Sequence, residues 1–217
     1  FVYQCVTTAG TDFNFIGLPL ETGWTKARDF DPSGTNIEAV TRWETPLQKV
    51  QTAVYSPVFG WCKDIPVQTG QSYCINAKNN FNFTVTGDSV SVVYNLMTTS
   101  GTDINQIVHP ITKANLTTSA MLGNNIGTAN CSAISKWNAA AQTMTTSAYA
   151  VVQWLNSFNI TTGQPLFINM KTNYTWPVLK SIDAQTCTDV SDPKTKGSVA
   201  GARIVFYHLT EESGREL

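Results

Sequence analysis

Apolar residues alternate with polar ones over short spans, and the spans come in the same order twice along the chain. Phe1 to Val6 is a β-branched and aromatic run that predicts a strand. Phe13 to Leu20 alternates and contains Pro19, which predicts a second strand ending at an edge. Between them Ala9-Gly10-Thr11-Asp12 has turn chemistry, so the two strands are expected to open the fold as a hairpin. Ile37 to Trp43 and Lys49 to Tyr55 predict a strand pair around Glu44-Thr45-Pro46. Asp64 to Lys78 and Phe81 to Thr86 complete the set as strands. The helical signal is weak: Thr25 caps a short turn over Lys26 to Phe30, which Asp31-Pro32-Ser33-Gly34 stops.

The second half restates this order. Val2 to Pro19 reads VYQCVTTAGTDFNFIGLP and Val93 to Pro110 reads VYNLMTTSGTDINQIVHP, an ungapped offset of 91 residues with 10 of 18 positions identical. Further on, Trp43 answers Trp137, Gln48 answers Gln142, Tyr55 answers Tyr149, and Gly70-Gln71 answers Gly163-Gln164. Thr117 or Thr118 caps the matching helical turn, with Gly123-Asn124-Asn125 as its stop. A period of this length suits two tandem small domains better than a solenoid. The expected fold is therefore mainly β: two tandem homologous β-sandwich or barrel-like modules, at 1–91 and 92–182, each with at most one short helix. Residues 183–202 read as a linker or long loop. Residues 203–217 supply an extra strand, because Val205 to Leu209 lines up with Val92 to Leu96 as the opening of a third module.

Composition narrows the function. Charged residues are 13% of the chain and the net charge is −1. That leaves no basic footprint for nucleic acid. No apolar run is long enough for a membrane span. The chain starts at Phe1 rather than Met, which predicts a processed, truncated or proteolysed product from which any leader has gone. Thr and Asn dominate the polar positions, a composition that suits an exported β-protein. Asn-x-Ser/Thr triplets begin at Asn82, Asn115, Asn130, Asn159 and Asn173, the glycosylation candidates. Of the five cysteines, Cys5 falls at an apolar position and reads as a buried thiol. Cys62 and Cys74 flank a turn and are expected to pair, as are Cys131 and Cys187.

Candidate chemistry is sparse. The cysteines and histidines have no metal-ligand spacing, and no nucleophile elbow or phosphate loop is present. His109 stands where the first half has Leu18, so it reads as structural. Asp12 and Asp103 recur in the turn T-T-x-G-T-D and read as turn-holding side chains rather than calcium ligands. The recurring Trp43 and Trp137 are expected in the module cores rather than as sugar platforms. Trp24, Trp61, Trp154 and Trp176 have no one-for-one match and are expected at the surface. Neither a catalytic site nor a cofactor is expected.

Three motifs resemble a known module. N-F-I-G-L-P-L (Asn14 to Leu20), V-T-R-W-x-x-x-x-Q (Val40 to Gln48) and T-G-Q-S-Y-C-I-N (Thr69 to Asn76) are similar to repeats in large exported surface proteins of bacteria and archaea. There the pattern is close to N-L-I-S-L-P-L, then S-R-W-(D/N)-x-x-x-Q, then P-G-x-x-Y-F-V-N. The resemblance covers nearly all of both halves, although the second keeps only Asn105, Ile107 and Pro110 of the first motif. It implies a β-rich, non-catalytic, extracellular repeat and carries no functional residue. The expected function is thus structural, at the cell surface or in an extracellular filament, with self-association or neighbouring surface proteins as partners. Strand addition would use Ile204, Val205, Phe206, Tyr207 and Leu209. Glycan binding and adhesion form the alternative.

Overall fold

Buried and half-buried side chains alternate along the long strands, so each presents one face to a core. Tyr73, Ile75 and Ala77 are buried, for example, while Cys74 and Asn76 between them are half-buried. The computed structural model describes residues 1–7, 13–98 and 104–177. The first module contains β1 (Val2–Cys5), β2 (Phe13–Gly17), β3 (Leu20–Glu21), β4 (Ile37–Glu44), β5 (Lys49–Ser56), β6 (Gly60–Cys62), β7 (Ser72–Ala77), β8 (Phe81–Thr84) and β9 (Asp88–Ser89). The second contains β10 (Tyr94–Leu96), β11 (Ile104–Val108), helix α1 (Ser119–Ile126), β12 (Cys131–Asn138), β13 (Thr143–Ala150), β14 (Gln153–Leu155), β15 (Pro165–Met170) and β16 (Tyr174–Trp176). The fold is mainly β, as the alternation predicts.

Each module has a five-stranded antiparallel sheet, ordered β2-β7-β4-β5-β6 in the first and β11-β15-β12-β13-β14 in the second. A bulge falls at the same place in both, between Ile37 and Ala39 and between Cys131 and Ala133. A two-stranded ribbon, β1-β8 or β10-β16, forms a second layer. Between the layers lies a separate apolar core. The first gathers Cys5 and Phe83 from the ribbon with Ile16, Val40, Tyr73 and Ile75 from the sheet. The second gathers Leu96 and Trp176 with Ile107, Ile134, Leu166 and Ile168. Both modules belong to one compact unit.

The structure corrects three local expectations. β1 and β2 do not form a hairpin: β1 pairs with β8 and β2 with β7, so they sit in different layers. The buried Asn14 side chain joins them instead, accepting from Val6 N at 2.8 Å and donating to Val6 O at 3.0 Å. Asn105 does the same to Met97 at 2.7 and 2.8 Å. Second, residues 64–71 are not strand. They cross the 25–27 segment through Ala27 N→Ile65 O and Val67 N→Thr25 O, both 2.9 Å. Third, the turn Ala27–Phe30 is a single 3-10 turn held by Asp29, whose carboxylate accepts from Thr25 N and Lys26 N at 2.8 and 2.9 Å. In the second module Thr118 caps α1, and the helix runs through Gly123 to end at Gly127.

Candidate functional site

The two sheets meet through a reciprocal set of hydrogen bonds. The Trp43 indole N–H donates to Ile104 O at 2.9 Å, and the Trp137 indole N–H donates to Phe13 O at 2.8 Å. Gln48 follows a single 3-10 turn after β4 and Gln142 follows the β12–β13 turn, both with left-handed backbone, φ 48° and 50°. Each offers its side-chain amide as if it were a strand. Gln48 Nε2 donates to Ile104 O and Gln48 Oε1 accepts from Ile104 N, at 3.1 and 3.3 Å. Gln142 does the same to Phe13 at 3.1 and 3.2 Å. Contacts of this form, in which i of one body meets j of the other and the reverse, are those of a two-fold interface. They also give the motif W-x-x-x-x-Q a physical reason: the spacing puts a tryptophan and a glutamine donor on one facing carbonyl.

Trp43 and Trp137 were expected in the cores. Both are half-buried and lie between the modules, because they alternate with Val40 and Arg42, or Ile134 and Lys136, and so point to the opposite face. The four tryptophans expected at the surface are packed instead. Trp176 is 1% exposed, and its N–H meets Asn125 Oδ1 at 2.8 Å. Trp24, Trp61 and Trp154 lie against the cores. Trp61 and Trp154 are equivalents after all, opposite Tyr55 and Tyr149 in register. A hairpin loop of different length hides the match in the sequence.

The cysteines do not make the expected bridge. Cys62 lies on β6 and Cys74 on β7, with β4 and β5 between them. Three strand spacings amount to about 14 Å, twice the reach of a disulfide. Neither they nor Cys5 and Cys131 form a disulfide with one another, and the expected partner of Cys131, Cys187, lies outside the described residues. Burial pushes the thiols of Cys5, Cys74 and Cys131 up to about 12, so they are poor nucleophiles at neutral pH. Of the triplet asparagines, Asn82, Asn115, Asn159 and Asn173 are exposed. Asn130 is committed to the fold: it donates to Ile126 O at 3.0 Å and accepts from Thr172 Oγ1 at 2.8 Å. Cys187, Asp12, Asp103, the 183–202 linker and the strand-addition residues Ile204, Val205, Phe206, Tyr207 and Leu209 lie outside the described residues.

Sequence reading missed a crevice of about 700 Å³ between the modules, bordered by Trp43, Ser72, Tyr94 and Gln106. Ser72 Oγ and Gln106 Oε1, on the strands beside it, and Arg42 Nε, on the opposite face of β4 from Trp43, are buried without a hydrogen-bond partner among the described residues. Arg42 is neutralised by Glu44 at 2.6 Å. No group of three or more His, Cys, Asp or Glu side chains is placed to hold a metal ion among the described residues. No described helix is long and apolar enough to cross a membrane. Comparison with protein-family models, curated proteins and solved structures returns no match.

Proposed function

We propose that the chain is a structural, non-catalytic protein of the cell surface or of an extracellular filament, and that its copies associate with one another. One observation carries this reading: both modules expose the same apolar hairpin tip beside an edge strand. Val58 and Phe59 at the β5–β6 tip are 80% and 81% exposed, and Val151 and Val152 at the β13–β14 tip are 92% and 80% exposed. The two loops share neither sequence nor length, yet each keeps two adjacent large apolar side chains in water. Exposed apolar clusters of this kind mark interaction surfaces. Two of them per chain make each copy bivalent, the minimum for a polymer.

Among the described residues, the neighbouring strands β6 and β14 are each paired on one side only, which leaves an edge for strand addition. In this reading Ile204 to Leu209 is the added strand. The experiment is sizing and electron microscopy of the full chain over a range of concentrations. Assembly should grow with concentration. Serine at Val58 and Phe59, or at Val151 and Val152, should limit it to small oligomers, and all four together should leave monomers. A wild-type chain that stays monomeric at millimolar concentration ends the proposal.

A further inference from the structure

An antiparallel sheet with one face in water ordinarily alternates apolar inner residues with polar outer ones. The outer faces of the two five-stranded sheets depart from that rule. Across β4 and β5 the outward rungs are Ala39–Val54, Thr41–Thr52 and Trp43–Val50, and Cys62 on β6 extends the first of them. Across β12 and β13 they are Ala133–Ala148, Ser135–Thr146 and Trp137–Met144, with Leu155 on β14 as the extension. No rung holds a charged residue; the adjoining Glu38 and Lys63 stand outside them. Part of each face is covered by the other module, since Trp43 and Gln48 hold Ile104 while Trp137 and Gln142 hold Phe13. Past that contact each face runs on as a shelf in water. Val50, Val54 and Cys62 are exposed on the first shelf, and Met144, Thr146, Ala148 and Leu155 on the second.

We propose that each shelf seats the unlike shelf of a second copy of this chain, first module on second, so that copies overlap in a staggered row. This rests on the self-association proposed above and names the surface that makes it. Continuity with the inter-module contact identifies the occupant. The face that runs on uncovered is the one that already receives the outer face of the unlike module, where Phe15 packs edge-on against Phe167 at 4.9 Å and Trp137 at 5.9 Å. The polar atoms of the shelves do not oppose burial: the Thr41 and Thr52 hydroxyls bond each other at 3.0 Å, and those of Ser135 and Thr146 at 2.8 Å. A covering sheet leaves neither pair without a partner. The exposed triplet asparagines Asn82, Asn115, Asn159 and Asn173 all stand off the shelf strands. Size decides how the shelf works. Strands about 4.8 Å apart, with five residues rising about 3.4 Å each, span roughly 10 by 14 Å. That is far below the roughly 800 Å² per partner of a stable interface. Shelf and apolar tip of the same hairpin therefore have to act together. A contact between unlike modules does not close on itself, so it propagates.

The test uses the full chain, sized over a range of concentrations. Thr52→Lys places a charge on the first shelf and Thr146→Lys on the second; Val54→Lys, at a more exposed position, replaces Thr52→Lys if that variant does not fold. Each alone should raise the concentration needed for assembly by about tenfold or more, because docking would bury an unpaired charge. An equimolar mixture of Thr52→Lys and Thr146→Lys should give dimers, since each keeps the shelf that the other lacks. In wild-type assemblies alkylation of Cys62, located by peptide mapping, should slow by about tenfold or more relative to dilute monomer, as expected for a thiol withdrawn from solvent. Wild-type assembly that Thr52→Lys or Val54→Lys leaves unchanged overturns the shelf contact and spares self-association through the tips. A single variant that dimerises by itself overturns the pairing of unlike shelves. Protection of Cys62 in dilute monomer by a peptide of residues 203–217 overturns the choice of a second copy's sheet as occupant. A wild-type chain that stays monomeric at millimolar concentration removes both readings together.

Discussion

Phe83 in the first module and Trp176 in the second stand at the same rung of the ribbon, opposite Tyr3 and Tyr94. Leu18 and His109 are another such pair, and Gly34 under the Tyr55 ring corresponds in role to Gly123 under the Trp154 ring. The side chains that fill the cores are not the same in the two modules. Those that replace backbone hydrogen bonds have not: Asn14 and Asn105, Gln48 and Gln142, Trp43 and Trp137 make the same bonds to the same places. Core positions tolerate exchange when volume is kept. A side-chain amide that stands in for a strand has no substitute of another shape, so these polar pins hold the same architecture around two differently filled cores.

The largest effects should come from emptying a core. Trp176→Ala and Phe83→Ala should each cost about 3–5 kcal/mol in urea denaturation. Trp176 should be the dearer, since Asn125 also loses its bonded N–H. Equal costs would mean that the indole hydrogen bond contributes nothing beyond its ring. Next in size is Gly123. On an exposed helix, Gly→Ala gains about 0.5–1 kcal/mol. Here the new Cβ meets the Trp154 ring, which Asn124 Oδ1 holds at 2.9 Å. Gly123→Ala should therefore destabilise by about 1–3 kcal/mol. The same change in a Trp154→Ala background should turn stabilising, and a cycle that shows no reversal refutes the contact.

A smaller effect tests the reciprocity of the clasp. Trp43→Phe and Trp137→Phe each remove one N–H···O bond and keep an aromatic ring, at about 1 kcal/mol apiece. Ile104 O and Phe13 O retain their glutamine donors in either variant. Matched costs support equivalence of the two contacts. A cost confined to Trp137, which also packs on Phe15, would show that ring packing rather than the hydrogen bond does the holding.

Much of this was legible in the chain. Alternation located the long strands, and the offset between halves anticipated that β2, β4, β5 and β7 would recur as β11, β12, β13 and β15. Pairing was not legible. The order of Phe1 to Val6 and Phe13 to Leu20 resembles a hairpin, and only the buried Asn14 amide, an unusual residue within an apolar run, hinted that the chain changes layer there. Trp43 was misplaced because recurrence marks either a core or an interface, and the two-residue period alone separates them. The Cys62–Cys74 bridge failed for a topological reason: proximity in sequence across a turn says nothing when two strands intervene. The crevice depends on Gln106 and Ser72 facing the other module, which no local pattern encodes.

The smallest effect at neutral pH concerns Leu18 and His109. His109 is 1% exposed, and neither ring nitrogen makes a well-formed hydrogen bond among the described residues. Burial disfavours the imidazolium and lowers its pKa below the ordinary 6.5, against a weaker opposing pull from the carbonyls of Thr161 and Lys113. The unfolded chain therefore binds this proton more readily than the folded one. His109 contributes its full stability above about pH 6.5, and that contribution falls as the pH drops through this value towards the lowered one. His109→Leu installs the residue that the first module already uses. Its stability should match wild type near pH 7 and exceed it increasingly towards pH 5, with a slope of at most one proton, about 1.4 kcal/mol per pH unit. Other titrating groups, His208 and Asp31 among them, are common to both chains and cancel in the difference. Urea denaturation at a series of pH values gives the two curves. Parallel curves would mean that the folded module accepts the imidazolium as readily as water does, and that Leu18 and His109 are interchangeable in charge as well as in shape.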